Sequence, residues 1–187
     1  MNVKGEVLIS LPLFIMKKFG KKEYERWLNS LAPAARKVFS SPLNKTEWYP
    51  LKETLVKPTN KLCELFYKNN MRGAFECGRF SAEYGLKGIY KVLVKLSSPQ
   101  ILINRAGKIL HNYYEPSEID VFAETKNSVV VRITKFSEMT SCIEQRIAGW
   151  MQRAVEITGS NHVEVKITQS LTRDHPFTEF HVIWKTV

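Results

Sequence analysis

The stretch IDVFAETKNSVVVRI, residues 119–133, decides the fold class because helical periodicity gives way to strand periodicity here. Apolar residues alternate with polar or outward-facing ones from Ile119 to Ala123, and the run 129–133 is rich in β-branched residues. Residues 126–128, Lys-Asn-Ser, have the composition of a hairpin turn. The stretch therefore predicts two strands joined by a tight turn.

Residues downstream of this hairpin predict one helix and two further strands. Apolar residues spaced for one helical face occupy 140–158, and Gly159 ends the pattern. A clean alternating strand follows at Val163–Ile167, and the last strand contains Phe180 and Trp184. Residues 116–187 thus predict a β-β-α-β-β order with an antiparallel sheet of about four strands.

Residues 1–115 are mostly helical by the same criteria. Leu11, Phe14, Ile15 and Phe19 recur at helical spacing before Gly20, and shorter helices follow around Trp27 and from Pro33. Trp48-Tyr49-Pro50 is interpreted as the opening of another helix, which Pro58 bends, and residues 99–113 as a further one. The prediction is an α+β (α/β sandwich-like) single domain, 1–187, with the helical part packed on the sheet.

Bulk composition suggests a cytoplasmic globular protein with a basic surface. The 187 residues carry a formal charge of +10, which raises the expectation of an anionic partner such as nucleic acid or a membrane surface. Lys17, Lys18, Lys21 and Lys22 form the densest basic cluster, for which a solvated helix end and turn is the favoured explanation. The apolar run 7–16 is too short to span a bilayer and lacks signal-peptide flanks.

The longest helical signal, residues 73–96, contains Gly78, Gly85 and Gly88. Each glycine inside a helix costs about 1 kcal/mol relative to alanine. Close approach of another backbone or of a ligand is the usual compensation. The sequence leaves open whether these glycines face a cavity, a second subunit or the sheet.

Catalytic and metal-binding patterns are absent from the sequence. The four histidines, His111, His162, His175 and His181, show no metal-ligand spacing, and the three cysteines lie far apart. Cys142 stands at a predicted helix start, where the dipole would lower its pKa. No nucleophile, base and orienting group can be assembled, so we predict no enzymatic activity, no metal and no cofactor.

A family resemblance is carried by Trp48–Pro50, Gly78–Tyr90, Ser98-Pro99 and the region from Ile147 through Trp184. These stretches resemble an uncharacterised domain family expanded in myxobacteria. The resemblance covers nearly the whole chain, and Gly78–Tyr90 is its most specific part. That family has no assigned activity, so the resemblance supplies no functional residues.

A more distant resemblance is to the superfamily of 4-vinyl reductase domains, haem nitric-oxide-binding domains and TRAPP vesicle-tethering subunits. The late β-β-α-β-β order and the glycine-containing helix are similar. The resemblance implies a pocket between helices and sheet for haem or an acyl chain, and often a dimer. The Tyr-x-Ser-x-Arg motif that holds haem propionates is missing, since the comparable stretch is Phe136–Cys142. A cysteine before the last strand is also missing, which argues against a cysteine-bound metal.

These observations lead to one preferred function and two alternatives. The preferred one is a non-catalytic sensor or adaptor with a pocket for a small apolar or amphipathic ligand. The alternatives are a protein-interaction module, as a homodimer or assembly subunit, and attachment to an anionic surface through the basic cluster. The pocket candidates are Gly78, Phe80, Ala82, Tyr84, Gly85, Ile89, Trp150 and Trp184, with Arg79 and Glu83 as polar candidates that could pair with each other across one helical turn.

Overall fold

A computed structural model describes residues 1–86 and 98–185. In the N-terminal half the elements are β1 (Asn2–Lys4), α1 (Gly5–Phe19), α2 (Lys21–Ser30), α3 (Pro33–Phe39), β2 (Trp48–Pro50), a π-helical turn (Lys52–Val56), α4 (Lys57–Tyr67) and α5 (Arg72–Gly85). The C-terminal half contains α6 (Pro99–Ile109), a 3₁₀ turn (Leu110–Asn112), β3 (Tyr114–Glu115), β4 (Glu118–Thr125), β5 (Ser128–Lys135), α7 (Ser141–Ile157), β6 (Asn161–Gln169), a 3₁₀ turn (Leu171–Arg173) and β7 (Thr178–Lys185).

The α+β prediction is confirmed, with strands β4, β5, β6 and β7 and helix α7 in the predicted β-β-α-β-β order. The strands form an antiparallel sheet in the spatial order β4-β5-β7-β6. Its central strands pair Val131 with Phe180, and both side chains are fully buried. α7 begins after Thr140, whose hydroxyl accepts a hydrogen bond from the Ile143 amide as an N-cap.

A second, three-stranded sheet in the order β2-β1-β3 was not predicted. Trp48-Tyr49-Pro50 is its edge strand β2, so these three residues are not helical themselves; the helical segment begins directly after them, at Leu51. Tyr49 pairs with Val3, and tryptophan and tyrosine favour strands. Pro50 is compatible with this position because an edge strand leaves one row of amides unpaired.

Two predicted helix boundaries can be compared with the observed ones. Gly20 ends α1 with φ +87°, a conformation that glycine adopts readily. The predicted helix 73–96 corresponds to α5, which begins at Arg72 and ends at Gly85. Residues 87–96 of that prediction lie outside the described residues. Across residues 1–86 and 98–185, no helix combines the length and apolar character that crossing a membrane requires.

Candidate functional site: a cavity between the helices and the sheet

Helices α5 and α7 cross in direct backbone contact. A Cβ atom on Gly78 of α5 would lie 2.0 Å from the carbonyl oxygen of Arg146, and one on Gly149 of α7 would lie 2.0 Å from the carbonyl oxygen of Phe75. Neither position therefore accommodates a side chain without separating the helices. The two glycines fix the distance between α5 and α7.

Arg79 reinforces this crossing from α5. Its Nη1 and Nη2 donate to the two carboxylate oxygens of Glu156 at 2.7 and 2.8 Å, and Nη1 also donates to Gln152 at 2.5 Å. The expected pairing with Glu83 is not the one formed: Glu83 lies 3.9 Å from Arg153 instead. The bidentate pairing with Glu156 on α7 explains the choice, since two parallel N–H···O bonds to one carboxylate are stronger than a single contact.

A cavity opens beside the crossing, between α1, α5, α6, α7 and both sheets, with a volume of about 230 Å³. Its wall is mainly apolar and aromatic, with a few polar groups, which is typical of a small-molecule site. The lining residues are Glu6, Val7, Gly78, Ser81, Tyr84, Gly85, Leu86, Leu102, Ile103, Arg105, Leu110, Tyr113, Tyr114, Ile119, Val131, Arg146, Ile147, Trp150 and Met151.

The most unusual lining residue is Arg146, which is only 3% exposed. Its Nη1 donates to Cys77 Sγ at 2.9 Å and to Thr59 Oγ1 at 3.4 Å, and Nη2 donates to Ser10 Oγ at 3.4 Å. Both hydroxyl distances exceed the usual N–H···O range. None of the carboxylates in the described part of the chain lies within 4 Å of this guanidinium.

The titratable groups around Arg146 are uncharged at neutral pH. Burial raises the pKa of Cys77, although Arg146 opposes it, and burial raises the pKa of Cys142 and of Tyr114 to about 12. The expected dipole activation of Cys142 is therefore overridden by desolvation. Burial acts to lower the pKa of Arg146 itself, but at the high pH where Cys77, Tyr114 and Cys142 ionise, their negative charges outweigh burial and raise that pKa. Arg146 is thus a buried cation among neutral groups.

Four of the predicted pocket residues lie in the cavity wall: Gly78, Tyr84, Gly85 and Trp150. Three others do not line it. Phe80 packs against Phe14 and Tyr84 in an aromatic cluster with α1, Ala82 is fully buried, and Trp184 is a core residue of β7. Ile89 lies outside the described residues, and neither Arg79 nor Glu83 lines the cavity.

The predicted basic cluster is exposed but partly neutralised. Lys18 forms an ion pair with Glu76, and Lys21 lies 4.0 Å from Glu25. Burial would raise the pKa of Glu76, but hydrogen bonds from Lys18, Arg72 and Tyr67 outweigh it and lower that pKa. Attachment of this surface to nucleic acid or membrane stays a prediction.

Sequence reasoning missed the polar end of the cavity and its sheet side. Arg146 follows Ile143 by three residues and precedes Trp150 by four, so it stands on the apolar stripe of α7. A charge at such a position is the signal that could have identified it. Ile119 and Val131 carried no comparable signal, because strand residues that line a cavity look like ordinary core residues.

The architecture has counterparts among solved structures, and these define its class as the H-NOX fold. An H-NOX protein from K. algicida in the Fe(II) unliganded state superposes with a TM-score of 0.70 at 12% identity, covering 98% of this chain and 97% of that chain. A triple mutant of an H-NOX protein from S. oneidensis in the Fe(II) ligation state gives a TM-score of 0.76 at 12% identity, covering 98% and 96%.

A further S. oneidensis H-NOX structure, in the Fe(II)NO ligation state, matches with a TM-score of 0.72 at 12% identity over 98% of this chain and 99% of that one. At this identity the similarity establishes the fold alone. No protein-family model matches the chain, and no curated protein matches it. The distant resemblance is thus supported at the level of fold, whereas the resemblance to the myxobacterial family stays a prediction.

Proposed function

We propose that this protein is a non-catalytic sensor or adaptor domain whose cavity binds a small apolar or amphipathic molecule. The observation that carries the proposal is the cavity itself. Its volume of about 230 Å³ exceeds the roughly 150 Å³ of an engineered apolar cavity that binds benzene. By proportion it accommodates roughly nine heavy atoms.

The position of the cavity supports a sensing role. Its wall joins helices α5, α6 and α7 to strands β4 and β5, so a ligand there touches elements from both halves of the chain. The solved structures with this fold include Fe(II) and Fe(II)NO states. Ligand-dependent movement of helices against the sheet is how such an arrangement would report occupancy.

Haem does not suit the residues of this cavity. Haem iron usually takes an axial histidine or cysteine, and less often methionine or tyrosine. All four histidines and all three cysteines lie within the described ranges, and none lines the cavity. His111 is exposed in the 3₁₀ turn, and the described side chains contain no group of three histidine, cysteine or acidic residues placed to hold a metal. Tyrosines and Met151 do line the cavity, but space for roughly nine heavy atoms is far smaller than a porphyrin. The cavity therefore does not fit haem.

Native mass spectrometry tests the proposal. The protein purified without denaturation is expected to carry an excess mass that is lost on denaturation. Val131→Phe places a larger side chain in the cavity wall and is expected to reduce the fraction of protein molecules that carry the excess mass. Val165→Phe is the matched control, because Val165 is half-buried on β6 and does not line the cavity.

Two results would contradict the proposal. One is an apo protein that also fails to take up small amphipathic molecules when they are added. The other is equal loss of ligand in both phenylalanine variants, since that would place the ligand elsewhere. The same spectra give the oligomeric state, which bears on the alternative of an interaction module.

A further inference from the structure

We propose that the ligand is a monocarboxylate amphipath whose carboxylate binds Arg146 at the buried end of the cavity and whose apolar tail extends toward the surface. This inference rests on the proposed ligand-binding function and specifies its chemistry. Its basis is the buried Arg146, which lines an apolar cavity and has no carboxylate within 4 Å among the described side chains.

Glu144, the other buried charged residue of α7, has a complete set of hydrogen-bond partners within the protein. Glu144, two residues before Arg146, is also buried. It accepts hydrogen bonds from Ser170 Oγ at 2.5 Å, Thr178 Oγ1 at 2.8 Å and Thr172 Oγ1 at 3.4 Å. Three hydroxyl donors converge on that carboxylate, two of them at short distance. Arg146 has only a thiol and two hydroxyls at 3.4 Å.

An isolated buried charge is strongly unfavourable unless a counter-charge or good hydrogen bonds compensate for it. The groups nearest to Arg146 do not supply the charge, because burial raises the pKa of Cys77, Cys142 and Tyr114. An anion in the cavity would complete the site.

The charges in the cavity wall predict the orientation of the ligand and its net charge. Among the described residues, the other two charged lining side chains are Glu6 and Arg105, which are both exposed and of opposite sign. The rim is therefore balanced, and one positive charge remains at the buried end. A single carboxylate matches it, whereas a phosphate dianion would leave a net negative charge in an apolar site. A guanidinium also pairs with a carboxylate in a bidentate manner.

Two probes of equal chain length test this inference: octanoate and octan-1-ol, titrated into the purified protein by calorimetry. Charge-assisted hydrogen bonds contribute enough to predict at least a tenfold tighter Kd for octanoate. Arg146→Met should reduce the ratio of the two Kd values to about one while octan-1-ol still binds. Arg173→Met, an exposed arginine that does not line the cavity, is the matched control and should keep the tenfold ratio.

The outcomes separate this inference from the proposed function. If both probes bind the unaltered protein equally well, the cavity binds ligands but Arg146 does not select a carboxylate, and this inference is overturned. If the preference survives in Arg146→Met, or disappears in Arg105→Met instead, the carboxylate lies elsewhere. If neither probe binds the unaltered protein, the cavity function and this inference are both contradicted. The comparison on the unaltered protein stands even if Arg146→Met does not fold.

Discussion

Helices α5 and α7 meet in two contrasting ways along the same pair of elements. At the crossing, Gly78 and Gly149 bring the backbones together, and Arg79 forms a bidentate pair with Glu156. Beside it, around Gly85 and Trp150, the helices border a cavity. The crossing has complete polar partners and no spare volume, whereas the cavity has spare volume and an unbalanced cation. The difference indicates that close backbone packing and unfilled volume occupy adjacent segments of one helix pair.

The largest expected effect tests the crossing. Gly78→Ala should lower the free energy of unfolding by about 3 kcal/mol, the upper end for overpacking a dense contact. The new Cβ meets the backbone carbonyl of Arg146 at 2.0 Å, so no side-chain rotation can relieve the clash. Urea denaturation measures the change. A loss below about 1 kcal/mol would show that the helices separate easily and that the glycine is not the determinant of their spacing.

The second prediction compares two buried charges on α7. Arg146→Met in ligand-free, refolded protein should raise the free energy of unfolding by about 1 kcal/mol, because it removes a poorly compensated buried charge. Glu144→Met should lower it by about 2 kcal/mol, because Ser170 and Thr178 lose their acceptor. Urea denaturation of both variants provides the measurement. A stability loss in Arg146→Met would mean that its hydrogen bonds already compensate for burial.

The third prediction concerns the pH dependence of the Arg79–Glu156 pair. Burial would raise the pKa of Glu156, but hydrogen bonds from Arg79 and Arg153 outweigh it and hold the pKa below its ordinary value of 4.5. A carboxyl with a lowered folded-state pKa stabilises the fold above its unfolded-state pKa, and this contribution disappears as the pH falls through the folded-state value.

Glu156→Gln should therefore lower the free energy of unfolding by about 1 kcal/mol at pH 7. The difference in this free energy between the variant and the unaltered protein should become smaller below about pH 4. Denaturant titrations at pH 7, 5, 4 and 3 measure it. Glu164→Gln is the control, because its partner Lys166 is 3.2 Å away on the exposed face of β6 and the expected loss there is below about 0.5 kcal/mol. A difference that does not vary with pH would exclude an electrostatic role for Glu156.

The sequence was informative where one rule governs the outcome. The hairpin at residues 119–133 and the apolar stripe of α7 predicted the β-β-α-β-β half, because burial of one face imposes a clear period. Trp48-Tyr49-Pro50 was misinterpreted because its strand depends on pairing with Asn2–Lys4, some forty-five residues away along the chain. A three-residue strand has too few positions to show alternation, so only the long-range pairing defines it.

The candidate site was predictable only in part for a related reason. Gly78, Tyr84, Gly85 and Trp150 were selected and lie in the cavity wall. Trp184 is predicted on the same aromatic character, yet it lies on β7 and packs in the hydrophobic core. Side-chain type does not distinguish a residue that lines a void from one that fills it. Arg146 differs, because a charge on an apolar stripe contradicts the pattern around it.

The smallest expected effect tests the cavity side of the comparison. Gly85→Ala should raise the free energy of unfolding by at most about 1 kcal/mol, since alanine favours a helix over glycine. A Cβ at Gly85 meets no atom of the described residues within 4 Å, in contrast to Gly78 on the same helix. Thermal denaturation of Gly85→Ala and Gly78→Ala side by side measures the contrast, and their changes in Tm should have opposite signs. A destabilised Gly85→Ala protein would mean that this end of α5 packs closely against another part of the chain. The cavity beside Gly85 would then have less free space than its volume of about 230 Å³ indicates.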